Sequence, residues 1–138
     1  MDLRGSDVDL SFLKGVKVAE VHALGEGIVP QPEPQFSLWF QDDTVLTVEC
    51  FWRLRHHAIL LVGRDDKKTD DPHSVDAMEE LVRHLVDKTV TDAVVFVTED
   101  LRIEFDGALY LDVMATHAIY ESWILSAENG FLAVGRGW

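Results

Sequence analysis

Apolar and polar residues alternate with a period of two along most of this chain, and that pattern predicts strands. Phe36, Leu38 and Phe40 share one face of a strand, and Asp42-Asp43 supplies the turn that follows. Leu46, Val48, Cys50, Trp52 and Leu54 continue the apolar face along the returning strand. A second hairpin places Leu101, Ile103 and Phe105 on one face and Arg102 and Glu104 on the other. Its turn is Asp106-Gly107, a strong hairpin signal because a type I′ turn needs two residues at positive φ. Residues 16–23 and 90–97 read as further strands, and 59–62, apolar on both faces, as a central strand. His56-His57 marks the turn before it, and 119–125 and 131–134 form a closing pair turned at Glu128-Asn129-Gly130.

Helical spacing is confined to two places. Met78, Leu81, Val82 and Leu85 follow the i, i+3, i+4, i+7 rule, which predicts a helix over 72–87 with Asp71 as its cap and Pro72 at its first position. Asp76, Glu79 and Glu80 sit near the positive end of its dipole. Ser6 and Asp9 resemble a capping box and predict a shorter helix over 7–14, ended by Gly15. Pro30, Pro32 and Pro34 make 25–35 an exposed loop, and 64–71 is a charged linker.

The second half of the chain repeats the first. Residues 36–49 align on 101–114 without a gap, matching Phe40 with Phe105, Leu46 with Leu111 and Val48 with Val113. Residues 58–64 align on 130–136, each ending in Val-Gly-Arg. The shift is 72 residues at both ends and 65 in the hairpin, because the proline loop lengthens the first half. The expected architecture is an α+β single domain, 1–138. Antiparallel β-meanders from an internal duplication, 6–64 and 72–136, would each read helix, strand, hairpin, strand, with one or two covering helices.

Twelve Lys and Arg against twenty-five Asp and Glu give a net charge of −13, which disfavours nucleic-acid and anionic-membrane partners and favours a basic one. The N-terminus carries no basic-then-apolar signal region, which points to the cytoplasm. Cys50 is the single cysteine, so neither a disulfide framework nor a multi-cysteine metal site is expected. The chain holds no phosphate-binding G-x-x-x-x-G-K-[ST], no H-E-x-x-H and no G-x-S-x-G. Six histidines show no ligand spacing, and adjacent His56 and His57 would point to opposite faces of a strand. No catalytic residue, metal or cofactor is assigned.

Three marks in the C-terminal third carry a resemblance: Ile103-Glu104-Phe105-Asp106-Gly107, then Tyr120-Glu121-Ser122-Trp123-Ile124-Leu125, then Phe131-Leu132-Ala133-Val134-Gly135. An F-x-G hairpin followed by a Y-E-x-W strand resembles a group of small acidic bacterial proteins of unknown function. In size and acidity these are similar to immunity proteins of toxin systems. The resemblance implies a fold and transfers no catalytic residue.

The leading expectation is therefore a non-catalytic module that captures a protein partner of basic character, as an immunity protein or inhibitor does. Trp39, Asp42, Asp43, Glu49 and Phe51, read as outward residues of the first hairpin, are the expected contact surface: an aromatic anchor among carboxylates. The alternative is a small-molecule or enzymatic site in the cleft between the halves, near His117, Tyr120, Glu121 and the 30–34 loop. A homo-oligomer joined through sheet edges is a third reading.

Overall fold

Alternation gives each strand one apolar face, and the structure buries those faces by stacking one sheet on another. The computed structural model describes residues 2–4, 8–24, 35–115, 122–127, 130 and 132–135. Its strands are β1 Asp2–Arg4, β2 Val18–Ala23, β3 Phe36–Phe40, β4 Val45–Val48, β5 Phe51–His56 and β6 Ile59–Gly63. After the helix α1 Ala77–Leu85 come β7 Val90–Val95, β8 Leu101–Phe105, β9 Leu109–Met114, β10 Trp123–Ser126 and β11 Leu132–Gly135. One sheet runs β1-β11-β10-β4-β3-β2 and the other β6-β5-β9-β8-β7. All pairings are antiparallel except β1 with β11.

The fold is mostly β, which corrects the expected α+β class with covering helices. The reason is that the sheets cover each other. Phe36, Leu38, Phe40, Leu46 and Val48 from the first pack with Trp52, Leu54, Ile103, Phe105, Leu111 and Val113 from the second in one core. Phe36 meets Trp52 edge-on at 5.3 Å between ring centroids. The inner apolar faces are thereby buried without a covering helix. Instead α1 lies against β2 and β6, which are edge strands of opposite sheets, and closes the side of the sandwich with Ala77, Leu81 and Leu85.

Local competition explains the shortened helices. Asp76, not Asp71, caps α1, accepting from the Glu79 N–H at 3.0 Å. Asp71 is engaged in its own turn, where its carboxylate accepts from His73 N–H at 2.9 Å and its carbonyl from the Ser74 hydroxyl at 2.7 Å. The helix expected over 7–14 is reduced to a single 3-10 turn, Ser11–Leu13; residues 5–7 lie outside the described residues. There Asp9 accepts from Ser11 N–H at 2.9 Å, the short-range bond by which Asp competes with helical pairing.

The expected strand through 46–54 is in fact two strands in different sheets. The chain crosses between sheets at Glu49-Cys50 while keeping its phase, so that Val48, Cys50 and Trp52 all enter the core. The expected central strand at 59–62 is β6, an edge strand with Ile59 and Leu60 exposed. The second hairpin turn takes positive φ at Gly107 and Ala108 rather than at Asp106-Gly107, because it is three residues long. The proline loop at 25–34 and Trp138 lie outside the described residues.

Two sets of three strands share one register. Val18, Glu20, Val21, His22 and Ala23 face Phe40, Trp39, Leu38, Ser37 and Phe36. Val90, Asp92, Ala93, Val94 and Val95 face Phe105, Glu104, Ile103, Arg102 and Leu101. The same irregularity follows Val18 and Val90. Pairing of β3 with β4 matches that of β8 with β9 in the same way. Each three-stranded set is then extended by the last two strands of the other half, β10-β11 beside β4 and β5-β6 beside β9. Between the two edges, Lys17 bridges Thr89, flanked by reciprocal bonds from Gly15 N–H to Val90 (2.8 Å) and from Asp87 N–H to Val18 (2.9 Å). In the last strands Val62 faces Leu54 and Ala133 faces Leu125, so pairing equates Val62 with Ala133, one position from the sequence alignment.

Trp123 is fully buried, its indole N–H donating to the Glu99 carbonyl at 2.8 Å. Its ring lies where a side chain on Gly135 would stand: an added Cβ would fall 1.8 Å from Nε1. At Gly63 the nearest atom would be 3.7 Å away, an ordinary contact. Gly135→Ala should therefore cost about 1–3 kcal/mol through overpacking, read as a lower urea midpoint, while Gly63→Ala should leave that midpoint nearly unchanged.

Candidate functional site

The outer faces of the two sheets are built on the same register and differ in chemistry. On the second sheet, Gly63, Arg53, Asp112, Arg102 and Val94 form one row across β6, β5, β9, β8 and β7. Leu60, Arg55, Tyr110, Glu104 and Asp92 form the next. Matching rows of the first sheet hold His22, Ser37, Thr47, Ile124 and Val134, then Glu20, Trp39, Val45 and Ser126.

Three arginines converge on one carboxylate. Arg53 and Arg55 donate through Nε to Asp112 Oδ2 at 3.0 and 2.8 Å, and Arg102 donates through Nε to Oδ1 at 3.1 Å. Asp112 is only 5% exposed, whereas the side chains of Arg53 and Arg102 are 46% and 43% exposed. Arg55 lies 4.2 Å over the Tyr110 ring and donates through Nη1 to the His57 carbonyl at 2.7 Å; Arg102 lies 5.2 Å over Phe96. Burial alone would raise the Asp112 pKa, but hydrogen bonds from Arg55, Arg53 and Arg102 outweigh it and hold the carboxyl below its usual range. Beside this cluster, bonds from Tyr110 and Thr91 lower the Glu104 pKa, and the bond to Glu104 raises that of Tyr110. Shallow depressions flank it: one of ≈ 330 Å³ is lined by Asp92, Val94, Phe96, Arg102, Glu104 and Tyr110, and one of ≈ 260 Å³ by Arg53, Arg55, Ala58 and Leu60.

The expected contact residues divide between places. Trp39 points outward from β3, 41% exposed, with its N–H on Ser37 Oγ at 3.1 Å and His22 edge-on at 6.3 Å. Glu20 faces it on β2, and exposed Asp42 and Asp43 form the turn at the end of its strand. Glu49 is exposed at the crossover, past the far end of β4, and Phe51 opens β5 in the other sheet opposite Met114. The hairpin thus unites Trp39 with Asp42 and Asp43 and leaves Glu49 and Phe51 apart. His117, Tyr120 and Glu121 lie outside the described residues.

Sequence reasoning had placed Arg102 and Glu104 on an outward face but missed the cluster. The available signal was charge at outward positions of three strands, in Arg53, Arg55, Arg102 and Asp112. Burial pushes the Cys50 thiol up to about 12, more than the nearby Arg64 charge lowers it, so it is a core group with little thiolate at neutral pH. Among the described residues no group of three or more His, Cys, Asp or Glu could hold a metal ion, and no helix is long and apolar enough to cross a membrane.

Asp112→Asn should cost about 1–3 kcal/mol at neutral pH, less than a fully buried pair because two of the arginines reach water. The sign of its pH dependence follows from the depressed folded-state pKa. The contribution is fully present above the unfolded carboxyl's value of about 3.9 and is lost as pH falls through the lower folded value. Urea titrations should show a constant gap between wild type and variant from pH 6 to 8, closing below about pH 4. A gap that widens on acidification would contradict this assignment.

No curated protein and no solved structure was found to match this chain. A family profile does match, over residues 31–136, which takes in β3 to β11 and the whole arginine cluster. The chain therefore belongs to the family of unknown function designated DUF6188.

Proposed function

We propose that this protein is a non-catalytic binding module of the inhibitor or immunity type, which captures a basic partner protein through the outer face of its first sheet. The observation that carries the reading is Trp39. It is a large aromatic exposed on the outer side of its sheet, fixed by its bond to Ser37, with Glu20 across from it and Asp42 and Asp43 at the adjoining turn. Interface hot spots favour such residues, because a rigid aromatic brings contact area at little entropic cost. The rim carboxylates and the net charge of −13 would speed encounter with a Lys- or Arg-rich surface.

The same face supports reading residues 6–64 and 72–136 as an internal duplication. Matched registers with unlike outward residues are what divergence of two copies would leave, the inner positions staying apolar while the outer ones change. An interlocked duplicate also makes a stiff support for a contact face.

A photo-crosslinking residue at position 39 or 43 of the full chain, in extract of the native host, should capture one or a few basic proteins in a salt-sensitive manner. The same label at Arg83 on α1 should not. Trp39→Ala should weaken binding of the recovered partner at least tenfold. Identical adducts from position 83, or an affinity indifferent to Trp39→Ala, would remove this reading.

A further inference from the structure

Around Asp112 the surface is positive within a strongly acidic chain. Three guanidinium groups meet one carboxylate there. The next carboxylates on this face are already engaged, Glu104 by Thr91 and Tyr110 and Asp92 by Lys14. The fold does not require such a cluster. At the matching positions of the first sheet the same register is built from Ser37, Thr47, Ile124 and Ser126.

The arginines are also held ready. Each is anchored to Asp112 through Nε, and two are stacked on aromatic rings. The Nη groups of Arg53 and Arg102 have no hydrogen-bond partner among the described residues. Part of the ordering cost of binding is thus met in advance. Guanidinium edges of this kind match carboxylates. The backbones of Arg53 and Arg102 stand two strand spacings apart, about 9.5 Å, but their guanidinium groups converge on Asp112, which brings them within reach of carboxylates about 6.7 Å apart at i and i+2 of an extended segment. Both depressions beside them carry apolar walls, Ala58 with Leu60 on one side and Val94 with Phe96 on the other, the second being lined also by Asp92, which pairs with Lys14, and by Glu104, which accepts from Thr91 and Tyr110.

We propose that the outer face of the second sheet docks an extended acidic segment of a protein partner, its central Asp or Glu side chains on Arg53 and Arg102 and apolar side chains in the flanking depressions. Charge complementarity selects this occupant, and the apolar walls select a peptide over a bare anion. A nucleic-acid backbone, with its dense charge, meets the repulsion of the whole chain. This surface lies on the opposite side of the sandwich from Trp39 and does not depend on the function proposed above.

The probe is a nine-residue synthetic peptide with two central Glu at i and i+2 and Leu near each end. It is titrated at low salt into the isotopically labelled full chain while the arginine Nε–H resonances are followed by NMR. Saturable shifts at Arg53 and Arg102 are expected with the Glu peptide and not with its Gln counterpart, weakening as salt is added. The double variant R53Q/R102Q leaves Arg55 paired with Asp112 and should cut affinity at least tenfold, with an otherwise preserved spectrum. R83Q and W39A should bind as wild type does. Equal binding of the Gln peptide overturns the proposal. So does inorganic phosphate that saturates the same resonances at lower concentration, which would indicate a site for a free oxyanion. Shifts at these arginines that depend on protein concentration without peptide overturn it in favour of a second copy of the chain.

Discussion

Pairing of β4 with β10 and of β5 with β9 holds the two halves together, since each sews the last two strands of one half into the sheet of the other. Neither half can satisfy its edge backbone groups or bury its inner faces alone. Trp123 sits opposite Val48 and Trp52 opposite Val113, so the two largest core side chains are both delivered by exchanged strands. The crossover at Glu49-Cys50 makes this possible: the chain changes sheet without changing phase, and the run of inward residues is unbroken. With both sheets thus locked face to face, α1 is left to close one side.

A shared register frees the outer faces to differ. Inner positions are held to apolar residues of similar size because they fill one interior. Outer positions are bound only by strand geometry, so where one sheet carries Ser37, Thr47 and Ile124 the other carries Arg102, Asp112 and Arg53. Desolvating Asp112 is unfavourable by itself, and three charge-assisted hydrogen bonds offset that cost. The result is a pair of opposed surfaces, one aromatic with a carboxylate rim and the other cationic with apolar flanks. Both face outward from the same two-sheet support.

Residues that strand alternation assigned to an interior, from Phe36 through Leu54 and from Leu101 through Val113, are buried, because alternation reports the side of a strand directly. The apolar stripe of α1 was legible for a similar reason, Leu81 and Leu85 being one turn apart. Its start was not, because Asp71 and Asp76 are both competent caps, and the turn formed with Ser74 decides between them. Glu49 and Phe51 were assigned to the first hairpin because an in-phase crossover leaves no trace in the alternation.

What the chain determines locally is therefore the face on which each side chain stands and the turns that separate strands, since these depend on neighbours a few residues away. Which strands lie side by side was decided only in three dimensions. Arg53 and Asp112 are 59 positions apart, and they meet because β5 pairs with β9, a choice made by the whole interior and by no nearby residue. Layering was settled the same way: apolar faces can be covered by a helix or by another sheet, and the alternation is identical in both cases. Two sheets stacked face to face covered each other's inner apolar sides, so no helix was needed there.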